Sequence, residues 1–545
     1  MGEWEFKSRK CCGRYAVLLG AVRSASHKPR LLPGVNGSAA LGQQSSYVTS
    51  MSAPLYVKPG SAWAAIVIGG LAAFSGGIHT TLAAASLPLH ECRLEGTRAA
   101  VRCGSLTMPE DLAAADGRQI DIRITVVPSL SPSPQPDPLV ILSGGPGQAA
   151  NDFYSSVGGA FARIRRDRDI VLIDQRGTGD SHRLDCGLED ETDFTAVDPQ
   201  RLRTQMRTCL GELAADPRFY TTSVAVHDLE KIREALGYPA LNLYSVSYGT
   251  RVAQHYLRRY PAHVRSVILD GAVPVGLALG PDAAIQAQQA LDALFDRCAA
   301  EEACSAAFPD IHAQFDALQA RLRKRGIKTK VPDPIDAAPI VTSFGIAELG
   351  AAVRLLSYSD ETASLLPLLI HEAQVLQRPQ DLIAQYLMVK RSAEAQIAYG
   401  MHFAVVCSED APYWAEENVG EQALAATYMG KDFMQSMQAV CEEWPRGRVD
   451  EDFRAPLTST VPALILSGSN DPVTPQSYGE RALQSFSNGR HLVLNGQGHG
   501  QLGNGCMPML IAQFVAGANA KALDAGCLAN VRPAPFMLSK SATKP

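Results

Sequence analysis

Ser245-Val246-Ser247-Tyr248-Gly249 is the segment of this chain whose residue types and spacing best suit chemistry. It departs from the G-x-S-x-G pattern only in carrying Ser245 at the first small position. A serine on a tight turn between strand and helix projects its hydroxyl, and small neighbours let the backbone take up the strain. The N-terminus of the helix that follows favours a developing negative charge. The chemistry this implies is acyl transfer through Ser247. Such a motif is weak alone, so its context must carry it. LNLYSV (241–246) reads as a buried strand and the stretch from Tyr248 to Tyr260 as a helix stopped by Pro261.

A hydroxyl is a poor nucleophile near neutral pH and needs a base oriented by an acid. On a strand–turn–helix serine the order along the chain is Ser, then Asp or Glu, then His. Asp471 follows the apolar run ALILSGSN, and His499 follows HLVLNGQG, so both fall at strand ends that can meet Ser247. Asp270 also ends a strand, VRSVILD, and competes as the acid, although the order of strands favours Asp471. The tetrahedral oxyanion needs donors. Tyr248 supplies the amide after the nucleophile, and the loop Ser143-Gly144-Gly145-Pro146-Gly147 supplies a second, with Gly145 favoured over Gly144. This loop has no Lys-Ser/Thr after it, and Pro146 breaks a G-x-G-x-x-G spacing, so it reads as neither a phosphate loop nor a dinucleotide loop. No CxxC pattern or paired Cys/His cluster points to a metal. The chemistry requires no cofactor.

The elements that must position these residues are legible as patterns. QIDIRITVV (119–127) alternates polar and apolar residues, as an antiparallel strand does. PLVILS (138–143) and DIVLID (169–174) are continuous apolar runs, which suits strands of a parallel sheet buried on both faces. VAVHDLEKIREALG (224–237) is helical and ends at glycine. Strand signals fade between Pro281 and about Trp444, where composition is mostly helical, and resume at PALILSGSNDP (462–472). The reading is an α/β fold with a mostly parallel central sheet. Residues 86–280 form its first half, 281–445 a helical cap over the strand ends, and 446–545 its second half.

Composition bounds the class. Of 545 residues, 46% are hydrophobic and 19% charged, which is ordinary for a globular chain. The net charge of -5 is uneven, because residues 1–85 carry eight Lys/Arg against two Asp/Glu. An acidic body argues against nucleic-acid binding. The apolar stretch Ala62–Phe74 is preceded by Lys58 and followed by Ala83-Ala84-Ala85, so residues 51–85 read as a secretory signal with Ser86 as first mature residue. An uncleaved anchor is the alternative. Residues 1–50 precede a natural start at Met51 and show no helical or strand period, so they read as disordered or misassigned. The expected location is periplasmic or extracellular, with no stable membrane association after cleavage.

SGGPG (143–147), DQRGTGDS (174–181) about thirty residues later, SVSYGT and GQGHG together resemble the prolyl-iminopeptidase and tripeptidyl-aminopeptidase family of α/β-hydrolases. CSEDAP (407–412) and CEEWP (441–445) look like the secreted tripeptidyl-aminopeptidase branch. Ser143 stands where prolyl iminopeptidases usually carry His, and Ser245 where they usually carry Gly. The resemblance implies an α/β-hydrolase fold and an exopeptidase acting on peptides with free N-termini, with Ser247, Asp471 and His499 as its triad. It implies that Asp174, Arg176 and Asp180 lock loops by ion pairs. Together with short loop closure it implies five disulfides, Cys92–Cys103, Cys186–Cys209, Cys298–Cys304, Cys407–Cys441 and Cys506–Cys527. An exopeptidase must also hold its substrate's ammonium group, and Glu409 and Asp410, tethered through Cys407, are the candidates. An esterase on the same triad and a catalytically inactive binding protein are the rival readings.

Overall fold

A computed structural model describes residues 87–97, 100–186 and 198–541 of the chain. The extension 1–50 and the signal 51–85 lie outside the described residues. Nine strands form one sheet. The first three, β1 (His90–Arg93), β2 (Ala100–Pro109) and β3 (Gln119–Val127), are antiparallel, and β3 also pairs antiparallel with β5 (Ile170–Ile173). From β5 onward every pairing is parallel, through β4 (Leu139–Leu142), β6 (Leu241–Val246), β7 (Val264–Asp270), β10 (Ala463–Gly468) and β11 (Gly489–Leu494). The order across the sheet is β1-β2-β3-β5-β4-β6-β7-β10-β11. Four of the parallel strands, β4, β5, β6 and β10, are buried at every residue. Their mostly apolar runs need apolar cover on both faces, and the two core clusters flanking the sheet supply it.

The order β6-β7-β10-β11 is what builds the site. These four neighbours run in one direction, so their C-terminal ends open at one edge of the sheet. Ser247 follows β6, Asp270 ends β7, Asp471 follows β10 and His499 follows β11. Residues far apart in sequence therefore meet at a single rim.

Between β7 and β10 the chain forms helices from Ala283–Ala300 to Asp432–Glu443, packed around their own core with Phe403 edge-on to Trp444. The helical reading of this segment misses one element. An antiparallel hairpin, β8 (Ile327–Pro332) and β9 (Pro339–Phe344), projects from it as a separate two-stranded sheet. Exposed lysines alternate with Ile327, Thr329 and Val331 in β8, a period-2 pattern that composition alone hides. Strands β1 and β2 likewise go beyond what the sequence pattern announces.

All five short-range cysteine pairs are disulfide-bonded: Cys92–Cys103, Cys186–Cys209, Cys298–Cys304, Cys407–Cys441 and Cys506–Cys527. Cys506–Cys527 closes the segment that follows His499, and Cys407–Cys441 joins two cap helices. Among the described residues no helix is long and apolar enough to cross a membrane.

Candidate active site

Ser247 is the N-cap of the helix Tyr248–Arg259 and adopts φ 55° and ψ -127°. A positive φ at a residue with a Cβ costs of order 1–3 kcal/mol and persists only where the surroundings impose it. Here they do. Gly249 lies so close to β4 that a Cβ would collide with the Leu142 and Ser143 carbonyl oxygens. The Ser247 amide donates to the Asp270 carbonyl at 2.9 Å. Ser245, the departure from glycine, is fully buried and donates its hydroxyl to the Ile268 carbonyl at 2.6 Å, so its extra polar atom is satisfied.

Asp471 and His499 meet directly. His499 Nδ1 and Asp471 Oδ2 are 2.8 Å apart. The other oxygen of Asp471 accepts the amides of Val473 and Thr474 at 2.8 and 2.9 Å. The Thr474 hydroxyl donates to Asp471 Oδ2 at 2.8 Å and lies 3.0 Å from His499 Nδ1. The carboxylate is thus held on three sides, and Nδ1 is the imidazole nitrogen it engages. Burial disfavours the charged imidazole, but the Asp471 charge and hydrogen bond outweigh it and hold His499 above its ordinary 6.5. The loop is fixed by the His499 amide donating to the Tyr358 carbonyl at 2.7 Å, with the Tyr358 ring edge-on to the imidazole at 5.4 Å. Gly271, with φ 64°, leaves the room His499 needs, since a Cβ there would lie 3.0 Å from the imidazole Cε1.

The glycine loop closes on the same point. Gly144 is the residue that abuts Ser247, since a Cβ there would lie 3.1 Å from Ser247 Cβ, while Gly145, with φ 106°, turns the loop. Ser143 Oγ donates to the Gln148 carbonyl at 2.6 Å and ties the loop shut from within. The cap ties it from outside: the Ala398 amide donates to the Gly147 carbonyl at 3.0 Å, and His402 Nδ1 lies 3.2 Å from the Pro146 carbonyl. Tyr248, whose amide follows the nucleophile, is buried, with its hydroxyl accepting from Gln175 Nε2 at 3.0 Å and sharing a hydrogen bond with Thr222 Oγ1 at 2.7 Å.

DQRGTGDS does its work through Arg176. Its guanidinium is fully buried and donates to both Asp228 oxygens at 2.6 and 2.8 Å. Asp174 does not form the expected ion pair. It accepts the Asn151 amide and side-chain NH2 at 3.0 and 2.9 Å and the Asp180 amide at 3.3 Å.

Glu409 and Asp410, the expected amine-binding candidates, are buried rather than exposed at a cleft end, and both carboxylates have partners within the protein. Each is only 1% exposed. Asp410 takes Arg251 in two hydrogen bonds of 2.7 and 3.0 Å and also accepts the Leu279 amide at 2.8 Å. Glu409 accepts the Thr222 amide at 2.7 Å and hydroxyl at 3.0 Å, with Arg251 at 3.5 Å. Burial pushes Glu409 up to about 7, against the opposing pull of Arg251. Arg251 lies on the helix that starts after Ser247 and cannot be buried without counter-charge, which Asp410 supplies with Glu409 as a second carboxylate nearby. Nothing in the sequence marks Arg251 as buried. Thr474, Gly271 and Tyr358 also escape sequence reasoning, although Asp471-x-x-Thr474 is a recognisable Asx-type turn.

A strained serine between a parallel strand and a helix, a buried Asp–His pair at neighbouring strand ends and a glycine loop against the serine are the equipment of a hydrolase. Residues 137–504 match the family model for the alpha/beta hydrolase fold, and the chain belongs to that family. Among its relatives, the putative hydrolase YuaR of Escherichia coli (strain K12) is 24% identical over 424 residues, covering 73% of this chain and 81% of that protein. Serine protease Hip1 of Mycobacterium tuberculosis (strain ATCC 25618 / H37Rv) is 23% identical over 469 residues, 78% of this chain and 87% of that protein. Tripeptidyl aminopeptidase of Streptomyces lividans is 28% identical over a shorter stretch of 190 residues, 32% of this chain and 35% of that protein.

Proposed function

We propose that the chain is an exported serine exopeptidase that releases single residues or short peptides from free N-termini. The observation that carries the hydrolytic part is the Asp471–His499 contact at 2.8 Å on the rim that also holds the strained Ser247. In the reaction His499 Nε2 takes the Ser247 proton as Oγ attacks the scissile carbonyl. Asp471 holds the tautomer with Nδ1 protonated and stabilises the imidazolium. The Tyr248 amide and a glycine-loop amide, from Gly145 or Gly144, receive the oxyanion. The imidazolium then protonates the leaving amine, and a water activated by His499 releases the acyl group.

Peptide substrates are supported by relatives named as a serine protease and a tripeptidyl aminopeptidase. Export is supported by the five disulfides, which persist in oxidising compartments, and by the signal-like pattern of residues 51–85. The test is turnover of aminoacyl and tripeptidyl anilides with free amines, of their N-acetylated forms, and of simple acyl esters. Preference for the free-amine anilides is expected. Turnover confined to the esters would replace the peptidase reading by an esterase.

A further inference from the structure

Asp270 is a fully buried carboxylate that the acyl-transfer steps above do not use. Its surroundings consist of donors. Tyr244 Oη, from β6, donates to Oδ2 at 2.8 Å. The Gln501 amide donates to Oδ1 at 2.7 Å and lies 3.0 Å from Oδ2, and the Leu502 amide donates to Oδ2 at 3.0 Å. Among the described residues no Lys or Arg is within 4.0 Å of it. Burial raises its carboxyl to about 6 against the pull of these donors. An asparagine in this place would turn its NH2 toward at least one donor, so the site requires an acceptor on both oxygens.

The residue bridges both halves of the chemistry. Its backbone carbonyl accepts the Ser247 amide at 2.9 Å, while its carboxylate grips the chain two and three residues after His499. Gln501, also fully buried, passes the restraint back by donating Nε2 to the Gly498 carbonyl at 2.7 Å. The next residue, Gly271, lies against the imidazole itself. One residue therefore sets the nucleophile's turn and the base's loop against each other.

We infer that Asp270 is a positioning residue for proton transfer, its carboxylate anchoring the 498–502 loop so that His499 stays in register with Ser247. This rests on the reading of Ser247 as the nucleophile. It also assigns the ionised form as the working one, since only the carboxylate accepts all these donors. The charged groups facing His499 are Asp471, Asp270 and, from the helix Ile346–Leu356, Arg354. The first two favour the imidazolium and Arg354 opposes it. Removing the Asp270 charge must therefore lower the pH at which His499 gives up its proton.

The experiment compares wild type, Asp270→Asn and Asp471→Asn in kcat, KM and the pH profile of kcat/KM, alongside labelling of Ser247 by a fluorophosphonate. Asp270→Asn is expected to lose about 10- to 100-fold in kcat, the scale of a misplaced catalytic group, with KM little changed. Its acid limb is expected to move to lower pH, which a purely structural role would not produce. Folded Asp270→Asn with wild-type kcat and an unmoved limb overturns the inference. So does a larger loss than in Asp471→Asn, which would make Asp270 the triad acid. If Asp270→Asn does not fold, Tyr244→Phe decides, because it removes one donor and leaves the carboxylate. About a fivefold loss in kcat at constant KM is expected, and wild-type kcat overturns the inference. Unlabelled Ser247 in the wild type would instead strike at the nucleophile assignment.

Discussion

Arg251, four residues after the nucleophile on the same helix, is held by Asp410 of the cap through hydrogen bonds of 2.7 and 3.0 Å. The nucleophile's helix and the cap are thus joined by a buried ion pair, with Glu409 as a second carboxylate on the same arginine at 3.5 Å. Breaking a buried pair by removing one partner costs about 3–5 kcal/mol when the remaining charge is left uncompensated, and the remaining Glu409 at 3.5 Å makes this an upper bound for Arg251. Asp410→Asn is therefore expected to lower unfolding stability by up to that amount. The ratio of turnover on free-amine and N-acetylated substrates should stay at its wild-type value. Urea unfolding and the two rates check this. A stable Asp410→Asn protein that no longer prefers free amines would support the amine-binding role.

Ser247→Ala removes the oxygen proposed to react and little packing. In a well-studied serine protease the equivalent loss is about 10⁶-fold in kcat. A comparable loss is expected here, with an unchanged thermal transition, because alanine fits a turn built for small residues. Activity near the wild-type level in purified Ser247→Ala would remove the whole mechanism.

The parts that are legible in the sequence share a physical reason. Strands β4, β5, β6 and β10 are buried on both faces, so their residues are mostly apolar, with the few polar ones such as Ser245 hydrogen-bonded internally, and the loops after them carry the exposed polar groups. Pattern alone therefore places Ser247, Asp471 and His499 at strand ends. Residues that act by packing give no such signal. Asp270 looks like a competitor for the acid because it also ends a strand, and what separates the two is that Asp471 meets the imidazole while Asp270 holds the Gln501 and Leu502 amides. The burial of Glu409 and Asp410 is not legible because their partner, Arg251, lies about 160 positions away, and local charge pattern cannot report a distant buried cation.

With His499 as the base, as proposed, its protonation sets the pH dependence of the reaction. Its proton affinity is raised above the ordinary 6.5 because the Asp471 charge and hydrogen bond exceed the opposing effect of burial. The base must be neutral to accept the Ser247 proton, so kcat/KM should rise with pH and reach half its plateau above 6.5. Asp471→Asn removes that stabilisation. It should move the midpoint downward and cost about 10⁴-fold in kcat, as loss of the orienting acid does elsewhere. A midpoint below 6.5 in the wild type contradicts the assignment.

Glu409 predicts a stability signature that separates it from Asp410. Burial raises its carboxyl in the folded protein to about 7, against 4.5 for an unperturbed glutamate. Between those values the folded state binds a proton that the unfolded state does not, so this group's contribution to stability is greatest at low pH. It declines as pH rises from about 4.5 toward 7, because unfolding then releases the proton. Each tenfold difference in proton affinity between the two states corresponds to about 1.4 kcal/mol, so the whole decline is about 3 kcal/mol. Glu409→Gln keeps an acceptor for the Thr222 amide and cannot titrate, so its own curve lacks this component. The stability gap between wild type and Glu409→Gln should therefore favour the wild type most at pH 5 and shrink, or reverse, by pH 8. All other titrating groups are common to both proteins and cancel in the difference. Urea unfolding of the pair at the two pH values measures it, and a gap that stays constant or widens with pH would show that Glu409 is ionised throughout, with Arg251 as its full counter-charge.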